Sequence, residues 1–179
     1  MPTVTRLLDA PAMAQALSRM AGEIVGRCGD ADPVVLVGIQ RRGVELAARL
    51  ADLVRTQSGR DLPLGKLDIT LYRDDLSTVG PRPVVGETSL PTIDDSIVVI
   101  VDDVLYTGRT ARAALDELTD FGRPRRILLS VLVDRGGREL PIQADVAGLS
   151  VATSPGDRVD VAVKELDGED RVDLVRGTS

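Results

Sequence analysis

Histidine is absent from the 179 residues of this chain. Its absence excludes a Ser-His nucleophile, a His-ligated zinc site and a His proton relay. Cysteine occurs once, at Cys28, so an internal disulfide is excluded as well. Any catalysis must therefore rely on carboxylates, arginines, backbone dipoles and a metal ion that arrives with the substrate.

Several other features are scarce or missing. There is no apolar run long enough to span a membrane and no N-terminal pattern typical of a signal peptide, so we expect a cytoplasmic protein. Aromatic residues make up only 2%, which leaves the core to Val, Leu, Ile and Ala. A net charge of −6 disfavours general binding to nucleic acid. The glycine fingerprint of dinucleotide-binding folds and the Gly-Lys-Ser/Thr of P-loops are both missing, which argues against those two classes.

The remaining pattern predicts one α/β domain over residues 1–179, with a mainly parallel twisted sheet flanked by helices. Apolar periodicity predicts helices at residues 9–25, 43–56 and 111–121, and strands at 33–39, 66–72, 97–101, 126–133, 145–149, 158–166 and 172–175. Residues 73–95 are polar and rich in Pro and Gly, so they are predicted to form a flexible loop that covers the site.

The most informative segment covers residues 97–112. Five β-branched apolar residues predict a strand buried on both faces, and Asp102 and Asp103 follow at its carboxyl end. A short loop with Thr107 and Gly108 then leads directly into a helix, where loop amides and the helix N-terminus favour phosphate. The adjacent acids can accept hydrogen bonds from sugar hydroxyls or hold a metal ion through water. The segment therefore predicts a site for a phosphorylated sugar, although each part alone is also common as a cap or a turn.

Two other polar segments follow predicted strands, at residues 40–43 and 134–139. Because ligands of open α/β sheets bind beyond the carboxyl ends of the strands, we expect both segments to converge with residues 102–110 on one cleft. Arg41 and Arg42 are then candidates for binding an anion. The alternative for this arginine pair is a solvated turn before a helix.

The run Val-Asp-Asp-Val-Leu-Tyr-Thr-Gly-Arg-Thr at residues 101–110 resembles the phosphoribosyl pyrophosphate (PRPP) signature of type I phosphoribosyltransferases. Four flanking segments are similar to the PyrR family of bifunctional pyrimidine operon regulators and uracil phosphoribosyltransferases: residues 67–76, 122–124, 131–136 and 139–142. This similarity extends from about Leu7 to Leu174. It implies the type I phosphoribosyltransferase fold, with a small hood at about residues 134–150.

The resemblance implies that uracil and PRPP react to UMP and pyrophosphate, with Mg²⁺ carried by PRPP. Asp102 and Asp103 would bind the ribose hydroxyls, and Arg73 at the root of the loop would reach the pyrophosphate. The other residues implied to bind substrate are Arg41 and Arg42 for pyrophosphate, the amides of Val104, Leu105, Tyr106, Thr107, Gly108, Arg109 and Thr110 for the 5-phosphate, and Arg135 and Val159 for the base.

The same resemblance implies a second activity, in which UMP or UTP promotes binding to the leader RNA of a pyrimidine operon. Ser18, Arg19 and Arg27 match family positions linked to RNA contact, although helix solubility explains the two arginines equally well. Gly22 and Gly137 stand where relatives commonly have histidine. A transferase without RNA binding, or one for another nucleobase, therefore stays open. The resemblance also implies a homodimer or higher homo-oligomer, and it implies no association with a membrane.

Overall fold

The computed structural model describes residues 1–72 and 86–177. In chain order its elements are β1 (Thr3–Leu8), α1 (Ala10–Cys28), β2 (Val34–Ile39), α2 (Arg42–Ser58), β3 (Leu64–Leu67), a short 3-10 helix (Thr70–Tyr72), β4 (Ile97–Leu105), α3 (Arg109–Phe121), β5 (Arg126–Asp134), β6 (Val146–Ser150), β7 (Arg158–Ala162), α4 (Lys164–Asp167) and β8 (Arg171–Arg176).

The main sheet has five strands in the order β3-β2-β4-β5-β6, and every pair is parallel. Helices α1 and α2 pack on one face and α3 on the other, so the predicted α/β architecture is confirmed. In β4 the side chains alternate between the two cores: Val99 and Val101 pack with α1 and α2, whereas Val98 and Ile100 pack with α3. This alternation follows from the two-residue period of a strand and explains its uninterrupted apolar run.

A second, antiparallel sheet has the order β1-β8-β7 and joins the two ends of the chain. Strand β1 was not predicted, because its short alternating sequence becomes a strand only beside β8. Arg6 on β1 reinforces this pairing through an ion pair with Asp173 on β8. The strand expected at residues 145–149 is confirmed as β6, which forms an edge of the main sheet.

Three predicted strand limits were wrong. The strand expected over residues 66–72 ends at Leu67, because the Asp68 carboxylate accepts a hydrogen bond from the Thr70 amide at 2.8 Å and turns the chain. Strand β4 does not end at residue 101 but continues to Leu105, which pairs with Asp134 of β5. The strand expected over residues 158–166 ends at Ala162 and is followed by α4.

The first helix begins as the sequence predicts. The Asp9 side chain caps α1 by accepting a hydrogen bond from the Ala12 amide at 2.9 Å, with Pro11 in the first turn. Within residues 1–72 and 86–177, none of the helices combines the length and the apolar character that a membrane crossing requires.

Candidate active site

Three connections meet at the carboxyl ends of the parallel strands, as the sequence predicts. The start of α2 packs against β4 beside the acid pair so closely that a Cβ added at Gly43 would lie 2.4 Å from the Val101 carbonyl oxygen. The segment after β5 reaches the loop after β4, because the Glu139 amide donates to the Thr107 carbonyl at 3.0 Å. Both contacts bring the predicted segments to one edge of the sheet.

Asp102 and Asp103 are successive residues of β4 and line different cavities. Asp102 borders a cavity of about 120 Å³ that is walled by the loop after β4 and the start of α3. Asp103 borders a polar cleft of about 320 Å³ that also contains Arg42 and Val159. Burial, followed by the nearby charge of Asp103, raises the pKa of Asp102 well above its ordinary value. The Asp102 carboxyl is therefore protonated more readily than an exposed one and can donate as well as accept a hydrogen bond.

The loop after β4 is shorter than predicted. Val104 and Leu105 belong to the strand, and the Val104 amide donates to the Asp103 carboxylate at 2.8 Å. Residues 106–108 form the loop itself, which we call the phosphate loop. Gly108 ends it in a left-handed conformation (φ 94°), where an added Cβ would lie 3.3 Å from that of Ile142, so this position requires glycine.

Helix α3 begins directly after Gly108. Amides in the first turn of a helix point away from the helix body, and Thr110 occupies such a position in α3. The Arg109 amide donates to the Thr107 hydroxyl at 3.2 Å, and the Arg109 side chain forms an ion pair with Glu139 at 3.0 Å. The loop and the helix N-terminus together form a concave group of amides suited to a phosphate.

Arg41 directly precedes α2 and is exposed, whereas Arg42 is the first residue of α2 and is half-buried. The Arg42 guanidinium donates to both carboxylate oxygens of Asp167 on α4, at 2.9 and 3.2 Å, and this contact lowers the pKa of Asp167. The peptide bond between Gln40 and Arg41 is cis. The Gln40 side-chain amide donates to the Glu87 carbonyl at 2.9 Å, which ties the turn before α2 to the chain that follows residues 73–85.

The two residues implied to contact the base lie in different surroundings. Val159 lines the polar cleft beside Asp103, where a base could pack against it. Arg135 is buried, donates to the Asp157 carbonyl at 2.9 Å and stacks on the Tyr106 ring, 3.7 Å from its centroid. Arg135 thus connects the segment after β5 with the phosphate loop. Arg73 lies outside the described residues.

Sequence reasoning missed two residues of this region, Asp167 and Arg138. Asp167 pairs with an arginine 125 positions away, and Arg138 donates to the Tyr106 carbonyl at 2.8 Å, 32 positions away. Asp167 is an exposed acid in a charged stretch, and Arg138 is one of 22 basic residues, so the local sequence indicates neither partner.

The three residues implied to contact RNA all lie on α1. Gln57 of α2 donates to the Ser18 hydroxyl at 3.2 Å, and the Arg19 guanidinium donates to the Gly148 carbonyl of the edge strand β6. Arg27 is exposed near the end of the helix. The side chains of Ser18 and Arg19 therefore take part in contacts within the chain, whereas Arg27 does so through its carbonyl, which accepts a hydrogen bond from the Arg126 guanidinium at 3.2 Å.

Comparisons with known proteins agree with this fold. The family model of the phosphoribosyl transferase domain matches residues 3–165. Among solved structures, a hypoxanthine phosphoribosyltransferase of Trypanosoma cruzi has a TM-score of 0.72 at 16% identity, with 97% of each chain covered. A hypoxanthine-guanine phosphoribosyltransferase of Bacillus anthracis has a TM-score of 0.73 at 15% identity, covering 96% of this chain and 97% of that one. At such identities the likeness shows the fold alone.

Relatives with much higher identity are named bifunctional protein PyrR. That of Thermus aquaticus is 56% identical over 169 residues, which cover 94% of this chain and 93% of the relative. That of Pelotomaculum thermopropionicum is 53% identical over 168 residues, covering 93% of both chains. The chain therefore belongs to the phosphoribosyl transferase domain family and, within it, to the PyrR family.

Proposed function

We propose that this protein transfers the phosphoribosyl group of PRPP to uracil, yielding UMP and pyrophosphate, and that it also binds pyrimidine operon leader RNA in response to uridine nucleotides. The observation that carries the transferase activity is the position of the acid pair. Asp102 faces the small cavity beside the phosphate loop, and Asp103 faces the polar cleft that holds Arg42 and Val159. A ribose between these acids has its phosphate end beside the loop amides and its reacting end in the cleft.

Each group has a role in the displacement. The amides of residues 106–110 hold the 5-phosphate, and the two acids bind the ribose hydroxyls. A ring nitrogen of uracil attacks the anomeric carbon while the bond from that carbon to pyrophosphate breaks, and the proton of that nitrogen passes to water or to the departing pyrophosphate. Arg41 and Arg42, with Arg73, stabilise the charge of the departing pyrophosphate. Rate enhancement then comes mainly from positioning and electrostatics, since no strong base is required.

The acid pair also fits Mg²⁺ that is carried by PRPP. Carboxylate oxygens are suitable magnesium ligands, and Mg²⁺ usually keeps several waters and binds through one or two carboxylates plus substrate phosphates. Across the described residues, no group of three or more acidic or cysteine side chains is arranged to hold a metal ion. Asp102 and Asp103 would thus contact the ion through water, while the substrate oxygens provide most of its coordination.

A base-competition assay tests the transferase. The protein is mixed with PRPP, Mg²⁺ and either uracil, hypoxanthine or adenine, and release of pyrophosphate is measured. Of the three bases, we expect only uracil to give product. In Asp103→Asn we expect kcat to fall by on the order of 10²-fold. Product with hypoxanthine but not uracil would contradict the assignment and favour the other nucleobase. A turnover without any base, equal to that with uracil, would also contradict it.

The regulatory activity is supported by the name of the relatives, bifunctional protein PyrR, and by the exposed Arg27 on α1. Titration of a leader RNA at physiological salt, with and without UMP, tests it. We expect saturable binding that UMP strengthens, and weaker binding with a smaller salt dependence in Arg27→Gln. Arg158→Gln, on β7, is the matched control. Absence of saturable binding would leave a transferase only.

We further propose that residues 1–179 form one domain, which acts in the cytoplasm as a homodimer or larger homo-oligomer. The loop expected over residues 73–95 would cover the cleft during the reaction, since water must be excluded to protect PRPP from hydrolysis. Residues 73–85 lie outside the described residues. Ser89 exchanges two backbone hydrogen bonds with Lys66 and Ile93 is buried in the core, so the covering role is proposed for the part of the segment before Ser89. Sedimentation analysis tests the assembly, and a purely monomeric protein at micromolar concentration would contradict it.

A further inference from the structure

Three successive carbonyl groups of β4 and the phosphate loop are held by the segment that follows β5. The carbonyl oxygens belong to Leu105, Tyr106 and Thr107, and each accepts a hydrogen bond from residues 135–140. In order, the donors are the Arg135 amide at 3.1 Å, the Arg138 side-chain Nη1 at 2.8 Å, and the amides of Glu139 and Leu140 at 3.0 and 3.1 Å. The loop is thus fixed along one side.

Fixing a carbonyl also fixes the next amide. In a planar trans peptide the C=O of one residue and the N–H of the next point in opposite directions. Among the described residues only the Gln40–Arg41 bond is cis, so the three peptides of the phosphate loop are trans. The N–H groups of Tyr106, Thr107 and Gly108 therefore point away from residues 135–140. They are available to a phosphate without any rearrangement of the loop.

The middle carbonyl is the one that a side chain holds. The Arg138 guanidinium, attached to a side chain that is 18% exposed, also bonds to the Asp134 carboxylate at 2.6 Å and to the Ile142 carbonyl at 2.7 Å. These partners lie in three directions, which suits the planar fork of arginine and not the single ammonium of lysine. Because the contact to Tyr106 depends on a side chain, it can be removed without altering the backbone.

We propose that Arg138 is a positioning residue that orients the Thr107 amide toward the 5-phosphate of the nucleotide. The residue itself does not contact the substrate; it acts by holding the Tyr106 carbonyl. The inference rests on the proposed function, in which the phosphate loop binds that phosphate. When the amide is preorganised, the loop does not have to rearrange on binding. Loss of this preorganisation therefore lowers the affinity for ligands that carry the phosphate and leaves the affinity for other ligands unchanged.

The test compares UMP with uridine, which lacks the phosphate, in the wild-type protein, Arg138→Gln and Arg138→Lys. Calorimetry measures UMP binding, and displacement of UMP measures uridine. We expect Arg138→Gln to weaken UMP about five- to ten-fold, as for one lost hydrogen bond, with uridine unchanged within about two-fold. The UMP affinity of Arg138→Lys is expected to lie between those of the wild type and Arg138→Gln, since lysine retains the charge beside Asp134. The KM for PRPP should rise while kcat stays close to that of the wild type, because the phosphate does not react.

Arg49→Gln is the matched control, because the Arg49 side chain is similarly buried (21% exposed) and bonds to Glu165 and Asp170 instead of the loop. Equal weakening of UMP and uridine in Arg138→Gln, or unchanged UMP binding, would overturn the inference. If Arg138→Gln does not fold, Arg138→Lys decides by the same ratio of UMP to uridine affinity. Failure of the wild-type protein to bind UMP would instead contradict the proposed function itself.

Discussion

The close approach of Gly43 to Val101 and Asp102 of β4 leads to a specific prediction for Gly43→Ala. A Cβ at this position would lie 2.4 Å from the Val101 carbonyl oxygen and 3.3 Å from the Asp102 Cα. Both neighbours are backbone atoms of a central strand that is hydrogen-bonded on both sides, so they cannot move independently. The start of α2 must instead shift outward by at least about 0.6 Å, which places the overpacking penalty near 1–3 kcal/mol.

This shift changes the distance between the candidate pyrophosphate residue Arg42 and the acid pair. Misplacement of a binding group by about 1 Å can lower a rate on the order of 10²-fold, so we expect kcat/KM for PRPP to fall by about 10- to 100-fold. Urea unfolding of the same variant should show a free energy of unfolding that is lower by about 1–3 kcal/mol.

Gly26→Ala is the control, because no atom lies within 4 Å of an added Cβ at that position of α1. Alanine is a better helix former than glycine, so this variant should keep the wild-type activity and gain up to about 1 kcal/mol of stability. A Gly43→Ala protein with wild-type kcat/KM and stability would refute the proposal that close packing at the start of α2 positions the site.

Three further predictions concern charged and buried groups. Asp167→Asn removes the charge that pairs with Arg42, so it should lower Tm at neutral pH. Because the pairing lowers the pKa of Asp167, the Tm difference from the wild type should close as the pH falls through the acidic range, and a constant difference in thermal melts from pH 3 to 7 would contradict this. Burial raises the pKa of Glu117, so its ionisation destabilises the fold as the pH rises above the ordinary glutamate value of 4.5. In urea unfolding, Glu117→Gln should therefore gain stability relative to the wild type between pH 5 and 8, and a difference in unfolding free energy that does not change with pH would count against this. Burial also raises the pKa of Cys28, so a thiol reagent at pH 7 should label it slowly in the folded protein and rapidly in urea, and fast labelling of the folded protein would exclude this environment.

The sequence predicted the main sheet well because burial on both faces leaves a direct trace. Strands β2 and β4 are nearly continuous apolar runs, and no polar residue interrupts the first five positions of β4. The local order of strand, glycine turn and helix was equally readable, since these residues are neighbours in the chain, although the acid pair lies within the strand and not after it. Convergence of three segments at one edge then followed from the parallel arrangement of the strands.

Other parts of the fold depended on partners that are distant in the sequence. Strand β1 exists through its pairing with β8, near the opposite end of the chain. Strand β4 extends four residues beyond the predicted limit, because hydrogen bonding to β5 continues through the acid pair to Leu105. Polar residues within that extension resemble the end of a strand when the sequence is considered alone.

By itself, the sequence determined which segments of the main sheet are buried and that a glycine turn joins β4 to α3, because these properties are local consequences of side-chain polarity and chain order. The tertiary structure alone decided that Arg42 is paired with Asp167 and that Arg138 holds the Tyr106 carbonyl. Both contacts form between side chains and groups far apart in the chain, and an arginine can bond to any acceptor within its reach. Only the packing of the elements selects which acceptor that is.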